Sequence, residues 1–247
     1  MTPIAILGAR GRMGTAIGRL AAEHDAQVVL AIDVHDASPA AGHGSLDDLA
    51  ASGARVLVDF SAPAVTIDAA NACTMSGVAL VSGTTGLDEP AKRALEAAAR
   101  AVPVLWEPNM SVGVLVLGEV VRQALAMLGE SFDVEIVETH HRNKTDAPSG
   151  TALRLAEIVR EARTGPLVTG RSGKDAARAR GEVGVLAVRG GDVVGDHDVH
   201  LLGNGERLEL THRATSRDVF ARGALRAATW IASRPPGRYN LRSVLGG

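Results

Sequence analysis

The amino-acid sequence predicts an α/β fold in its first part and an α+β region with a mixed sheet in its second part. As far as residue 106, short β-branched runs alternate with helical segments, which is typical of β-α-β units in a doubly wound parallel sheet. That rhythm ends near Ser111, where a long apolar helix and then closely spaced strands begin. We therefore predict two domains, one formed by residues 1–111 and 221–247 and the other by residues 112–220.

The first domain contains five predicted strands, at residues 4–7, 28–34, 55–60, 78–82 and 102–106. Proline marks the start of two helices between them, since Pro63 precedes the helical segment 65–73 and Pro90 opens the segment 91–101. Because crossover helices cover both faces of a parallel sheet, we expect these strands to be buried on both sides.

The second domain opens with a predicted helix that ends at Leu128 and a strand at residues 133–139. A second helix follows the entry Pro148-Ser149-Gly150, because the next apolar residues recur at i, i+3, i+4 and i+7. Residues 164–182 are rich in glycine, arginine and lysine, and we expect them to form a mobile loop over one face.

Three further strands are predicted at residues 183–188, 196–202 and 207–215. The last two are joined by Gly203-Asn204-Gly205, a short hairpin connection, so we expect an antiparallel or mixed sheet. A helix at residues 218–233 should return the chain to the first domain.

The composition is that of an ordinary soluble globular protein. The 247 residues include 46% hydrophobic residues, and 26 basic against 28 acidic side chains leave a formal net charge of −2. Balanced charge and 2% aromatic residues argue against a nucleic-acid surface. We find no charged-then-apolar leader and no apolar run of bilayer length, and the single Cys73 cannot form an internal disulfide. We therefore expect a cytoplasmic protein with no nucleic-acid or membrane partner.

A glycine loop lies between the first strand and the first helix. Gly8, Gly11 and Gly14 have GxxGxxG spacing, which permits a tight turn, close approach of a pyrophosphate and close helix–strand packing. The next strand ends at Asp33, 19 residues after Gly14, near the spacing of a ribose-binding acid. This combination predicts a Rossmann-like dinucleotide site. The alternative is that the glycines serve only packing and that Asp33 only caps a loop.

The choice of cofactor is less sharply indicated. The carboxylate of Asp33 favours the 2′-hydroxyl of NAD, whereas Arg12 and His35 are placed to meet a 2′-phosphate. We expect NADH, NADPH or both to bind, with NADH preferred.

Two later loops follow predicted parallel strands and should therefore lie at the ligand edge of the sheet. They are Gly83-Thr84-Thr85-Gly86 and Glu107-Pro108-Asn109-Met110-Ser111. Their small residues and amide suit a nicotinamide ring and its carboxamide, although ordinary turn chemistry remains an alternative for each loop taken alone.

A basic cluster lies between a strand and a helix entry in the second domain. The segment 138–151 contains His140, His141, Arg142 and Lys144, and the backbone N–H groups near Gly150 and Thr151 should point at an anion. These residue types predict an anion site with proton donors. A zinc site is disfavoured because adjacent histidines point apart and no cysteine pair is present. A solvated polar loop is the other alternative.

Several further residues are assigned to packing. His197, His200 and His212 fall in strand-like runs and are interpreted as sheet residues. Cys73 is interpreted as a small buried hydrophobe, and Trp106 and Trp230 as packing residues.

The chain resembles the 4-hydroxy-tetrahydrodipicolinate reductase family, historically dihydrodipicolinate reductase, nearly from end to end. The resemblance rests on GARGRMG at 8–14, VDFSAP at 58–63, GTTG at 83–86, PNMSVG at 108–113, ETHHRNKTDAPSGTA at 138–152, RGGDVVGDH at 189–197, ERLELTHRATSR at 206–217 and RYNLRSVL at 238–245.

The resemblance implies reduction of a heterocyclic dicarboxylate in the diaminopimelate route to lysine. It implies His140 and Lys144 as catalytic residues and His141, Gly150 and Thr151 as substrate contacts. The cofactor contacts that it implies are Gly8, Ala9, Arg10, Gly11, Arg12, Met13, Asp33, Gly83, Thr84, Thr85, Glu107, Pro108, Asn109 and Met110. It also implies a homotetramer formed through the second domain's sheet and a hinge that closes the two domains over the substrate. From the residue inventory we expect no metal.

The sequence departs from the family pattern at three places. Glu107 introduces a charge near the cofactor, Val34 stands where members that use both cofactors often have arginine, and the chain is short around residues 35–49. Two alternatives stay open, a non-catalytic NADH sensor and a related imine or amino-acid dehydrogenase. The sensor does not require His140, His141 and Lys144 together at an anion site, and the related dehydrogenase does not require the DAPSGTA helix entry at residues 146–152.

Overall fold

A computed structural model describes residues 1–33 and 44–246 and divides the chain into two compact units. Unit 1 consists of Met1–Val112 and Asp218–Gly247, and unit 2 of Gly113–Arg217. The boundaries expected from the sequence, at 111 and 220, differ from these by one and three residues. The expectations for Val34 and His35 lie outside the described residues.

Eleven strands and seven α-helices are found in the described part of the chain. In order they are β1 (Thr2–Leu7), α1 (Arg12–Leu20), β2 (Ala26–Ile32), β3 (Val56–Asp59), α2 (Thr66–Ser76), β4 (Ala79–Ser82), α3 (Glu89–Ala98), β5 (Pro103–Trp106), α4 (Val112–Leu128), β6 (Asp133–His140), α5 (Gly150–Ala162), β7 (Leu167–Val168), β8 (Val183–Arg189), β9 (Gly195–Leu202), β10 (Arg207–Ala214), α6 (Asp218–Ile231), β11 (Gly237–Tyr239) and α7 (Leu241–Val244).

Unit 1 is built on a six-stranded parallel sheet with the order β11-β5-β4-β3-β1-β2. The chain changes direction across the sheet between β1 and β3, which is where ligands bind in open α/β sheets. The prediction of a doubly wound parallel sheet is confirmed. The expected burial on both faces is confirmed for β3 and β4 but is wrong for β2, because β2 is an edge strand and its Val29 is 38% exposed.

Helices cover both faces of the unit 1 sheet. One face carries α2 and α3, whose small apolar residues join a buried cluster with β1, β3 and β4. The buried face of α6 consists mostly of alanine and contacts β3, β4 and β5. Cys73 of α2 is fully buried in the first cluster, and burial raises the pKa of its thiol, so its interpretation as a small hydrophobe is confirmed.

Unit 2 is built on a five-stranded mixed sheet with the order β10-β9-β6-β8-β7. Strand β6 is parallel to β8 and antiparallel to β9, which confirms the prediction of a mixed sheet. Helices α4 and α5 share a core with one face of this sheet. Helix α4 contributes Leu117, Val121 and Leu125, which lie in the same buried cluster as apolar residues of β6, β8 and β9.

One helix is long and apolar enough to span a membrane by length and composition, which differs from the sequence expectation. It comprises α4 and the turn after it, Val112–Ser131, with a mean hydropathy of 1.6. The same helix carries Glu119 and Arg122, and its buried residues pack in the unit 2 core. One face of the helix therefore packs in that core, but only 22% of its most apolar window is buried, and Val116, Val120 and Met127 are exposed.

The segment 164–182, which we expect from the sequence to be a mobile loop, contains the short strand β7. Ion pairs connect it to the start of β6. Arg171 and Arg178 both form ion pairs with Glu135, and Arg171 also pairs with Glu182. A Cβ on Gly184 would lie 1.7 Å from a Glu135 carboxylate oxygen, so only glycine lets this carboxylate lie across β8. These contacts lie at the amino end of β6, whereas His140 lies at its carboxyl end.

Candidate active site

The glycine loop of unit 1 has no room for side chains at two of its positions. Gly8 has φ +83°, and a Cβ there would lie 2.7 Å from the carbonyl oxygen of Phe60. A Cβ on Gly14 would lie 2.2 Å from the carbonyl oxygen of Gly8. The loop therefore packs closely against the start of α1 and against the loop after β3, as a dinucleotide-binding turn requires.

Asp33 lies next to this loop, as the sequence predicts. Its Oδ2 accepts a hydrogen bond of 2.9 Å from the backbone N–H of Arg10. The N–H groups of Gly8 and Ala9 donate to the carbonyl of Ile32, which joins the loop to the end of β2. Gly11 and Arg12 are exposed and Met13 is half-buried.

The loop after β4 is held by a buried carboxylate that is not among the predicted site residues. Asp59, fully buried, accepts hydrogen bonds from the hydroxyls of Ser82 at 2.9 Å and Thr84 at 3.0 Å. The indole N–H of Trp106 donates to the Thr84 carbonyl at 2.9 Å, so this residue positions the loop as well as packing. Thr85 is exposed beside them. A polar residue at the end of an apolar strand was the available signal for Asp59.

The neighbouring loop after β5 is partly exposed at its start and buried at its end. The N–H of Glu107 donates to the Ser82 carbonyl, and the side-chain oxygen of Asn109 accepts from the N–H of Ser111. Pro108 is exposed, whereas Met110 is 1% exposed. Because the side chain of Met110 is buried, we expect any contact of this residue with the cofactor to be made through its main chain.

In unit 2, one face of β6 changes from apolar to polar along its length. Val134 and Ile136 lie in the core, and the next residues on that face are Glu138 and His140. Glu138 is fully buried and His140 is 8% exposed. The alternation of the strand thus brings a buried carboxylate to the predicted proton donor, and His140 Nδ1 lies 2.6 Å from Glu138 Oε2.

Three further hydrogen bonds complete the surroundings of the Glu138 carboxylate. Arg189 of β8 donates to both oxygens, at 2.7 and 2.8 Å, and the N–H of Ser149 donates to Oε1 at 2.9 Å. Burial alone would raise the pKa of Glu138, but the hydrogen bonds from Arg189, His140 and Ser149 outweigh it and lower the pKa. The carboxylate is therefore ionised at neutral pH.

The residues predicted to bind an anion lie in the turn after β6 and in the first turn of α5. Ser149 is the N-cap, and its hydroxyl accepts from the N–H of Ala152, which confirms the predicted helix entry. Lys144 Nζ lies 2.7 Å from Asp146 Oδ1, and this hydrogen bond lowers the pKa of Asp146. His141 is half-buried on the strand side of the same turn. Gly150 is exposed and Thr151 half-buried in the first turn of α5.

His197 belongs to this cluster, although its strand-like sequence context predicts only a sheet residue. It lies opposite Glu138 in the β6–β9 ladder and is 3% exposed. Its ring centroid is 5.2 Å from that of His140, and its Nε2 is 3.2 Å from the Ser149 hydroxyl oxygen. Burial lowers the pKa of His197 to about 4, so its imidazole is neutral at pH 7.

Of the remaining histidines, His200 lies apart from this cluster and His212 adjoins it. His200 lies on the opposite face of β9, and His212 lies opposite His197 on β10. Trp230 packs edge-on against Tyr239 in unit 1. Within the described residues, no group of three or more histidine, cysteine, aspartate or glutamate side chains is arranged to hold a metal ion.

Comparison with known proteins gives consistent matches. Models of the dihydrodipicolinate reductase N-terminus and C-terminus match residues 2–110 and 113–245. The 4-hydroxy-tetrahydrodipicolinate reductase of Anaeromyxobacter dehalogenans is 46% identical over 265 residues, covering 100% of this chain and 98% of the relative. That of Myxococcus xanthus is 47% identical over 261 residues, covering 98% of this chain and 96% of the relative.

A solved structure shows the same fold. Dipicolinate-bound dihydrodipicolinate reductase from Paenisporosarcina sp. TG-14 has a TM-score of 0.79 at 23% sequence identity, with 97% of each chain covered. Because both family models and full-length relatives match, this chain belongs to the dihydrodipicolinate reductase family.

Proposed function

We propose that this chain uses NADH, NADPH or both to reduce 4-hydroxy-tetrahydrodipicolinate, or its dehydrated form, to tetrahydrodipicolinate in the diaminopimelate route to lysine. The observation that carries the proposal is the cluster at the carboxyl end of β6. There, a buried histidine, a lysine and the N-terminus of α5 lie within twelve consecutive residues, 140–151.

Unit 1 supplies the cofactor site in this proposal. The absence of space for a Cβ at Gly8 and Gly14 fits the tight turn and the close helix–strand packing of a dinucleotide-binding loop. The reduced nicotinamide, when bound, supplies a hydride. The loops that we assign to it carry Gly8, Ala9, Arg10, Gly11, Arg12, Met13, Asp33, Gly83, Thr84, Thr85, Glu107, Pro108, Asn109 and Met110.

Unit 2 binds the substrate, a small heterocyclic dicarboxylate. The ammonium group of Lys144, the imidazole of His141 and the N–H groups of Gly150 and Thr151 bind one carboxylate, which the positive end of the α5 dipole also favours. The Lys144–Asp146 ion pair does not oppose this, because Asp146 is 57% exposed and exposed pairs are weak. A substrate carboxylate can therefore replace Asp146 as the partner of Lys144.

His140 supplies the proton. Hydride addition leaves negative charge on the conjugated ring, and His140 donates a proton to neutralise it. For the dehydrated form, the net change is addition of one hydride and one proton across the unsaturated bond. For the 4-hydroxy form, the hydroxyl group also leaves as water.

The test is oxidation of NADH and NADPH by the purified chain, followed at 340 nm, with substrate formed by the preceding synthase from pyruvate and aspartate semialdehyde. We expect oxidation that depends on the synthase. Lys144→Ala should lower kcat/KM about 10- to 150-fold, because a hydrogen bond to a charged group is worth about 1.5–3 kcal/mol.

The matched control is Lys174→Ala, which removes an exposed lysine of the same unit and should leave kcat/KM unchanged. If the wild-type chain binds NADH but oxidises neither cofactor, the reductase proposal is wrong and an NADH sensor takes its place.

We also propose a cytoplasmic homotetramer that forms through the unit 2 sheet. Helices α4 and α5 share a core with one face of that sheet, and the other face carries half-exposed Val137 and Leu186 and exposed Val188. Light scattering should give a mass of about 102 kDa, four times 25.5 kDa, and Val188→Glu should lower it. A wild-type mass of one chain would contradict the proposal.

A further inference from the structure

We propose that Glu138, held by Arg189, is the positioning residue of the site: its one carboxylate orients His140 and fixes it relative to the N-terminus of α5. This inference rests on the proposed function and adds to it a residue outside the expected catalytic and substrate-binding set.

The first step is the identity of the protonated nitrogen on His140. Glu138 is ionised and can only accept hydrogen bonds, so the Nδ1 atom at 2.6 Å must carry a proton. This holds for the neutral and for the charged imidazole. Nε2 is therefore the nitrogen that gives up the proton, because the hydrogen bond of one ring nitrogen decides the role of the other.

The second step is the orientation of the ring. Nδ1 is bound by Glu138, the ring of His197 lies edge-on at 5.2 Å, and a Cβ on Gly195 would lie 2.9 Å from Nε2. The absence of a side chain at Gly195 thus leaves space beside the atom that donates the proton. Contacts on several sides confine the imidazole to one orientation.

The third step is the connection to the anion site. Glu138 Oε1 accepts from the N–H of Ser149, the residue that caps α5. Arg189, which binds both carboxylate oxygens, also donates to the carbonyl of Asp146 at 2.6 Å, in the turn that carries Lys144. Hydrogen bonds of the Glu138 carboxylate and of Arg189 therefore link His140 to the N-terminus of α5 and to the turn that carries Lys144.

The charges around His140 predict a distinctive effect of substitutions on the pH dependence of the rate. Within the described residues, Glu138 on β6 and neutral His197 on β9 contact the His140 ring. Arg189 on β8 binds Glu138 and lies opposite His140 in the β6–β8 ladder, and His212 of β10 lies behind His197. The charges of Glu138 and Arg189 offset each other. Removing one member of the pair should therefore move the alkaline limb of the pH–rate profile in the direction opposite to removing the other.

The experiment compares Glu138→Gln and Arg189→Gln in the full chain, using the synthase-coupled assay. Glu138→Gln should lower kcat about 100-fold, within the range of general acid catalysis, and leave the KM for NADH unchanged. It should move the alkaline limb to lower pH, because the positive charge of Arg189 disfavours the charged imidazole. Arg189→Gln should move the limb to higher pH.

A second readout is independent of turnover. Nitrogen-15 NMR of histidine-labelled chain should show His140 protonated at Nδ1 in the wild type and a mixture of tautomers in Glu138→Gln. The matched control is Glu135→Gln on the same strand, which loses ion pairs with two arginines but does not contact His140. It should retain the wild-type pH profile and tautomer.

Equal kcat and an unchanged Nδ1 signal in Glu138→Gln would overturn the proposal, as would limb shifts in the same direction for both variants. If Glu138→Gln does not fold, Gly195→Ala tests the same orientation with the Glu138–Arg189 pair intact. It should lower kcat by crowding Nε2, and full activity would overturn the proposal. An inactive wild-type chain would instead refute the proposed function.

Discussion

Replacing His197 should remove a defined part of the dependence of stability on pH. The pKa of His197 is about 4 in the fold, against 6.5 for a free imidazole, because the ring is buried. Between these values the unfolded chain binds a proton that the folded chain does not, so stability is complete above pH 6.5 and is lost as the pH falls towards 4. At about 1.36 kcal/mol per pH unit, the full loss is about 3 kcal/mol, of which about 2 kcal/mol falls between pH 7 and 5.

The assay is urea unfolding followed by far-UV circular dichroism at pH 7, 6 and 5. Tryptophan fluorescence is unsuitable for this purpose because Trp106 and Trp230 both lie in unit 1. His197→Gln should lose less stability over this range than the wild type, by about 2 kcal/mol. His200→Gln is the matched control on the opposite face of β9 and should behave as the wild type. Equal pH dependence in His197→Gln and wild type would refute the reasoning.

Three other substitutions test the first unit. Asp33→Ala should lower the ratio of kcat/KM for NADH to kcat/KM for NADPH about 10-fold or more. The substitution removes an acceptor for the ribose hydroxyl of NADH and a charge that repels the 2′-phosphate of NADPH. An unchanged ratio would contradict this. Gly14→Ala should lower the melting temperature because its methyl group would lie 2.2 Å from a loop carbonyl oxygen, whereas Gly18→Ala, with its nearest atom at 3.9 Å, should not. Thr66→Val should raise the free energy of unfolding by about 1 kcal/mol in urea titrations, because the buried Thr66 hydroxyl has no partner within the described residues; a loss of stability would contradict the assignment.

The elements predicted correctly are those with local signals. The strand, glycine turn and helix around Gly8 and Gly14 follow from spacing within seven residues, and Ser149 follows from its place before an apolar stripe. The edge position of β2 and the last strand β11 were not predicted, because strand order depends on contacts that are distant in sequence. A three-residue strand such as β11 also shows too little alternation to recognise.

Within the site too, the local sequence pattern predicts the partners of His140 that are near in sequence and not those that are distant. Glu138 and His140 lie two residues apart, and their shared face could have been inferred from the alternation of a strand. Arg189 is 51 residues from Glu138 and reaches it only because β8 pairs with β6. His197 approaches from β9 on the other side. The roles of these two residues depend on sheet order, which periodicity does not specify.

The discontinuity of unit 1 has a consequence for synthesis on the ribosome. Strand β11 and helix α6 come after all of unit 2, yet α6 supplies fully buried residues to unit 1 and β11 covers the edge of β5. While the continuous segment Gly113–Arg217 is made, the nascent first unit therefore stays incomplete. Its sheet has an open edge, and part of its apolar surface is uncovered. The unit encoded in the middle of the chain can complete its fold before the one that begins it.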